Sequence, residues 1–470
     1  MKQSQQPPLV HVGLELQAEN QPGGLPPPTP STDAQATEAA PGAQDSTPSG
    51  QGSSQDSKSK DSDGKSEKTI LAGWDNGFIL RSKDKDFSLR ITGQIQADYR
   101  AFLDGEDAVD IDSFFIRRAR LGIEANMFKY YEFRFLPDFG LGKTVLEDAY
   151  LNIHYWDQFE FEVGKFKQPF SYEQLIQDRF VPTLERSIID QLVPQRDEGV
   201  MVHGYKLFED RFDYGVAVSN GEINGDMDTN EHKDFNGRVV LRPLNSPEFW
   251  PIFHLLQPGL SGGVGVEQEP VMPSTLKTPA GVPWFKYDAT VVADGVRWRI
   301  SPELSYFYRG LGFAWQYYRQ EEELRPSAIP PGYKFRRDVP TEGYYFLLTY
   351  LLTGEQRTTY SEPIKPLRPF SPYHPLSCAG AWELVWRISR LEVGDNVFAP
   401  GPANLANPAT NSRAATELTA GFNWYLNEWV RMQVNYEHAW FQDPVLLGTN
   451  PKTNLTLDSD AFMLRWQIIF

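Results

Sequence analysis

The stretch Phe462-Met463-Leu464-Arg465-Trp466-Gln467-Ile468-Ile469-Phe470 decides the fold. Phe462, Leu464, Trp466, Ile468 and Phe470 share one parity and are all apolar, while Met463, Arg465, Gln467 and Ile469 share the other and are mixed. Successive side chains of a strand point to opposite faces, so this pattern is a strand with one apolar face. Its second face carries an arginine and a glutamine, which a soluble β-protein would turn to water.

The same alternation recurs along the chain. It runs through 87–101, 112–126, 130–138, 144–154 and 158–164, then 197–206, 211–220, 233–242 and a Gly-rich segment at 259–267. It continues through 297–308, 311–320, 344–352, 379–392, 413–426 and 429–441, which with the last strand makes sixteen candidates. The connections alternate in length. Short ones fall at Phe128-Lys129, Trp156-Asp157, Phe208-Glu209-Asp210, Arg309-Gly310 and Asn427-Glu428; longer ones fall at 102–111, 167–196, 221–232, 268–294, 321–341, 393–412 and 442–457. Short turns at one end and long loops at the other mark an up-and-down transmembrane barrel, with apolar residues toward lipid and polar ones toward the lumen. Two connections break the rule, since 243–257 and 354–378 are long yet fall on the short-turn side by parity. The expected fold class is all-β: a transmembrane antiparallel β-barrel of about 16 strands over 75–470, preceded by a disordered tail over 1–70.

Composition fits that reading. Aromatic residues make up 13% of the chain, yet mean hydropathy is −0.46 and the densest apolar run, 344–352, is far too short for a spanning helix. Residues 1 to about 70 contain no Phe, Tyr or Trp and are rich in Pro, Ser, Gly, Gln and Asp, so they lack the apolar surface to offset ordering. The net charge of −17 argues against a nucleic-acid partner. The lone Cys378 leaves no intrachain disulfide, and neither a metal nor a cofactor is expected. A secretory leader is expected for an outer-membrane chain; the apolar patch at 9–14 is too short for one, which points to a misplaced start.

Five blocks carry a family resemblance. They are Phe114-Phe115-Ile116-Arg117-Arg118-Ala119-Arg120-Leu121-Gly122; Tyr131-Glu132-Phe133 with Asp138-Phe139-Gly140; Asp148-Ala149-Tyr150-Leu151; Val163-Gly164-Lys165-Phe166-Lys167-Gln168-Pro169-Phe170-Ser171; and Leu184-Glu185-Arg186-Ser187 followed by Pro194-Gln195-Arg196-Asp197-Glu198-Gly199-Val200. In this order, over nearly all of 75–470, they resemble the phosphate-selective porin O/P family. The resemblance implies a sixteen-stranded outer-membrane porin, a homotrimer, passing small hydrophilic solutes by diffusion with a preference for anions such as phosphate. It implies that the third outer loop, about 167–196, folds into the lumen as the constriction. The strand ending in Phe470 looks like the signal read by barrel assembly machinery. Expected partners are therefore outer-membrane lipid, inorganic anions, that machinery and two further copies of the chain.

Anion passage needs donors and positive charge in a narrow, low-dielectric place, and arginine meets phosphate through two parallel hydrogen bonds. Alternation places Arg118, Arg120 and Glu124 on the lumen face of the second strand, and Glu132, Arg134 and Asp138 on that of the third. Arg238 and Arg242 face inward from the eighth, Arg297 and Arg299 from the tenth, Arg387 from the thirteenth and Arg465 from the last. The pore and anion-binding candidates are Arg118, Arg120, Arg134, Lys167, Arg179, Arg186, Arg196, Arg238, Arg297 and Arg299. The bland alternative is that these arginines simply pair with carboxylates on neighbouring strands. The constriction loop itself is balanced: Lys167, Arg179, Arg186 and Arg196 meet Glu173, Asp178, Glu185 and Asp190. A weakly selective general porin thus stands beside the anion reading. A barrel enzyme is disfavoured, because no His-Glu-x-x-His motif occurs and none of the seven histidines stands in a recognisable Ser/His spacing. A structural envelope barrel tethered by the tail is the third reading.

Overall fold

The computed structural model describes residues 70–103, 112–221, 230–327, 335–400, 404–447 and 454–470; the tail expected over 1–70 lies almost wholly outside them. Sixteen antiparallel strands close into a ring. They are β1 (Phe87–Phe102), β2 (Ser113–Met127), β3 (Tyr131–Asp138), β4 (Val145–Trp156), β5 (Phe159–Lys167), β6 (Arg196–Lys206), β7 (Phe212–Ser219) and β8 (Asp234–Leu241). Then follow β9 (Gln257–Pro270), β10 (Val291–Tyr308), β11 (Leu311–Pro326), β12 (Arg337–Leu351), β13 (Ala381–Val393), β14 (Ala414–Tyr425), β15 (Val430–Leu447) and β16 (Asn454–Ile469). Each of the sixteen alternating stretches coincides with one strand. Among the described residues no helix is long and apolar enough to cross a membrane.

β16 closes the ring on β1, with Ile469 opposite Gln94 and Ala461 opposite Phe102. At the seam, Gly93 and Phe470 exchange backbone hydrogen bonds of 2.8 and 2.9 Å. The Phe470 ring occupies the space a side chain at Gly93 would need, since a Cβ there would lie 2.1 Å from it. An N-terminal hairpin, Ile70–Trp74 with Phe78–Ser82, extends the sheet by pairing Phe78–Arg81 with Ser88–Ile91.

The outer surface is apolar, as the period-two pattern demands: Phe114, Leu121, Phe133, Phe135, Leu384, Trp386, Trp466 and Ile468 are all exposed. Around the short turns Phe128, Tyr130, Tyr155, Trp156, Phe208 and Trp250 are exposed, forming the aromatic girdle that membrane barrels place at an interface. The turn Phe128-Lys129 has positive φ at both residues, 53° and 68°, the backbone twist that matches tight hairpins.

Among the bulges that interrupt the alternation, two turn pairs of like charge inward. Gln96 faces Arg118 while Ala97 faces Ile116, so Arg117 is the extra residue and both arginines turn inward. Likewise Leu136 faces Asp148 while Pro137 faces Leu146, so Glu147 and Asp148 both turn inward. Each bulge puts two adjacent charges of one sign on the lumen side, where strict alternation would put one.

The lumen is filled by connections from both ends. The third outer connection, 168–195, is almost wholly buried and holds short helical turns at Tyr172–Leu175, Asp178–Phe180 and Ile188–Leu192. The fifth carries a small hairpin, Thr275–Lys277 with Pro283–Lys286, and buries Trp284, Phe285 and Tyr287. From the short-turn side, 352–380 also turns inward: Tyr360 is fully buried and meets Phe307 of β10 and Tyr172 of the third outer connection. This explains why a connection of that length stands among short turns. It is a second filling segment. The other exception, 242–256, stays at the surface, with Phe249, Trp250, Ile252 and Phe253 exposed.

Candidate functional site

The infolded 168–195 connection is driven inward by its own sequence. Leu175, Ile176, Val181, Leu184, Ile188, Ile189, Leu192 and Val193 are all buried, and a surface course would expose them to water. Lys167 and Arg186 hold its backbone. The Lys167 ammonium donates to the carbonyls of Gln174 and Ile176, the latter at 3.3 Å. Arg186 donates to those of Glu173 (3.1 Å) and Ile176 (2.7 Å). Wall side chains hold the rest: Asn423 donates to the Pro182 carbonyl at 2.9 Å, Asn435 accepts from the Leu184 amide at 2.7 Å, and Tyr318 donates to the Leu192 carbonyl at 2.8 Å.

Two loop carboxylates are the charge centres. Asp178 contacts Arg120 (2.6 Å), Arg186 (2.6 Å) and Arg118 (3.4 Å). Glu185 contacts Arg465 (2.8 Å), Arg117 (3.0 Å) and Arg118 (3.8 Å). Burial alone would raise both carboxyls, but the guanidinium groups outweigh it and hold each well below the usual carboxylate range. Both therefore stay ionised at any physiological pH. Asp190 differs. Burial pushes it up to about 7, because Arg186 stands off at 3.9 Å and Glu173 adds a like charge.

The ten sequence candidates divide into groups. Arg118, Arg120 and Arg186 converge on Asp178. Arg120 also reaches Asp138 (2.7 Å) and Glu147 (2.8 Å). Arg134 pairs with Glu124 (2.7 Å) and Asp148 (2.9 Å), and Arg196 with Asp148 (2.5 Å) and Glu147 (2.7 Å), so Asp148 links them. Arg297 and Arg299 share Asp234 at 3.1 and 3.0 Å, and Arg297 also meets Glu267. Arg238 stands apart, pairing with Glu303 at 2.8 Å. Arg179 donates to Gln177 at 2.6 Å and lies over the Phe180 ring. Lys167 serves the loop backbone.

Sequence reasoning missed Arg117, which strict alternation sends to lipid. The adjacent pair Arg117-Arg118 hints at an irregularity, since strict alternation sends one of them to hydrocarbon, but only the pairing with the partner strand reveals the bulge. It also missed Arg357 and Arg431, both buried at the inner end. Arg357 sits in a connection read only as a long turn, and nothing local marks it.

Comparison with known proteins agrees with this architecture. The family model described as phosphate-selective porin O and P matches residues 89–247 and 288–446. Porin O of Pseudomonas aeruginosa is 25% identical over 421 residues, covering 84% of this chain and 91% of that protein. Among solved structures, the outer membrane channel DcaP of Acinetobacter baumannii aligns with a TM-score of 0.50 at 10% identity, over 85% of this chain and 100% of that one. OmpT, an outer membrane protein of Vibrio cholerae, aligns at 0.49 and 11% identity, over 82% of this chain and 98% of that one. With its lipid-facing exterior, charged lumen and infolded third loop, the chain belongs to the phosphate-selective porin O and P family and is an outer-membrane porin, not an enzyme.

Proposed function

We propose that this porin passes small anions, phosphate among them, in preference to cations. One observation carries the reading: the two loop carboxylates Asp178 and Glu185 meet five arginines between them, Arg117, Arg118, Arg120, Arg186 and Arg465. At that level an entering anion meets a cluster of guanidinium groups already oriented by the wall and the loop. Arg118, Arg120, Arg134, Lys167, Arg179, Arg186, Arg196, Arg238, Arg297 and Arg299 are the groups proposed to shape the path. A bilayer reversal potential under a salt gradient tests the sign of selectivity; a cation-selective sign defeats the proposal. Phosphate added to a chloride conductance tests specificity. Block at low phosphate supports a site, whereas simple scaling with mobility supports a general pore.

A second reading has its own support. The same arginines also touch Asp98, Asp138 and Glu147, so the charge around the loop approaches balance. A weakly selective general porin follows if that balance governs. We further propose a homotrimer, checked by sedentation of the detergent-solubilised protein, and recognition of the strand ending in Phe470 by assembly machinery.

A further inference from the structure

The buried arginines of the described residues nearly all have a carboxylate within ion-pair distance. Arg431, at the foot of β15, is the exception. It is 4% exposed, donates from Nη2 to Gln467 at 3.2 Å and has the Tyr425 hydroxyl beside it. That acceptor is already shared with Gln96 at 2.7 Å. The Nε of Arg431 is buried with no acceptor at all. A guanidinium carries five N–H donors, and a desolvated cation without a counter-charge is costly. Among the described residues the fold therefore leaves a desolvated cation here with no directly paired carboxylate; Glu383 acts on it only from farther off, behind the Tyr425 hydroxyl.

Arg431 lines a cleft, open to solvent, on the short-turn side of the barrel. Arg357 lines it too; its charge is already met by Glu383 at 2.7 Å. Arg179 reaches it from the infolded loop. The remaining wall is mixed: Phe180, Ile364, Trp429 and Ile469 give it an apolar side, and Tyr425, Asn427 and Gln467 a polar one. Of the acids at the lip, Glu428 is engaged by Lys365 at 3.1 Å, and Glu362 is exposed. A cationic floor beside an apolar side matches an anion carried on an apolar body. It does not match a fully hydrated inorganic ion.

We propose that this cleft binds a small organic carboxylate, with its oxyanion on Arg431 and its apolar part against Phe180, Ile364 and Trp429. The site lies at the inner mouth, apart from the Asp178 and Glu185 cluster, and stands whichever sign the bulk selectivity takes. Sodium benzoate titrated into the folded, detergent-solubilised protein and followed by calorimetry tests it, with inorganic phosphate in parallel. Saturable benzoate binding is expected, at least about ten-fold tighter than phosphate. Arg431→Gln should weaken benzoate by about ten-fold or more, and Arg431→Lys by less. Glu362→Gln, at an exposed position that leaves folding untouched, should tighten it about two-fold by removing a like charge. Absence of saturable benzoate binding overturns the proposal, as does equal affinity in Arg431→Gln or weaker affinity in Glu362→Gln. Phosphate binding as tight as benzoate overturns the organic class. The reversal potential of Arg431→Gln should keep the wild-type sign, which separates this site from the permeation reading.

Discussion

The barrel wall has two unlike halves. From β3 to β8 the strands are short, with β3, β7 and β8 only 8 residues each, and the neighbouring lumen face is charged. Arg120, Arg134 and Arg196 there interlock with Asp138, Glu147 and Asp148. From β10 to β16 the strands are long, reaching 18 residues in β10 and β15. Much of their lumen face is apolar: Phe307, Ala314, Leu324, Leu347, Val385 and Leu391 are buried. They pack in one cluster with Ile188, Ile189 and Leu192 of the infolded loop and Trp284 and Phe285 of the fifth connection. The first half of the wall holds the loop by charge; the second adds a broad apolar contact to its own polar holds, Arg465 on Glu185 among them. Charge pairs are directional and fix the loop's position; apolar contact is not, and supplies adhesion instead.

If the halves differ in this way, substitutions should differ in size and kind. The largest effect is expected at Arg120, which serves three carboxylates. Arg120→Ala leaves Asp178, Asp138 and Glu147 short of a buried partner and should cost about 3–5 kcal/mol, read from the urea midpoint of the folded, heat-modifiable form. An unchanged midpoint would remove the charged half's role. Phe307→Ala, in the apolar half, opens a void beside Tyr360 and should cost about 3 kcal/mol by the same assay. Tyr318→Phe removes one hydroxyl bond to the Leu192 carbonyl and should cost only about 1 kcal/mol.

The smallest effect is a pH dependence on the loop itself. Asp190, pushed up to about 7 by burial, binds a proton more tightly folded than unfolded. Its contribution to docking is therefore most favourable at low pH. It is lost as pH rises from about 4 to about 7, and constant above. Asp178 and Glu185 are shifted the other way, so their support is present throughout that window. Proteolysis of the loop should rise modestly between pH 5 and 8, and Asp190→Asn should flatten the profile.

The regular parts of this architecture were legible because each strand reports its own two faces. The infolding of the third outer connection was expected from the family resemblance alone; the burial of Leu175, Ile176, Ile188 and Ile189 now supplies its physical reason. The bulges at Arg117 and Glu147 were not legible, since an extra residue reverses parity and only the partner strand reveals it. Neither was the inward course of 352–380, whose Tyr360 is buried by residues from two distant segments. Ion-pair partners were the least readable. Asp98 and Arg465 lie 2.7 Å apart but 367 positions apart along the chain, and no local pattern joins them.

That separation also bears on how the barrel forms. β1 keeps an open edge until β16 arrives, and an unpaired edge is a template for any other chain nearby. Closing so long a loop is slow compared with making a hairpin. The N-terminal hairpin can form quickly and locally, and it covers Ser88–Ile91 of that edge. The stretch left waiting is the one that β16 later takes, from Gln94 to Phe102. The hairpin thus occupies one end of that edge and leaves open only the segment on which β16 closes.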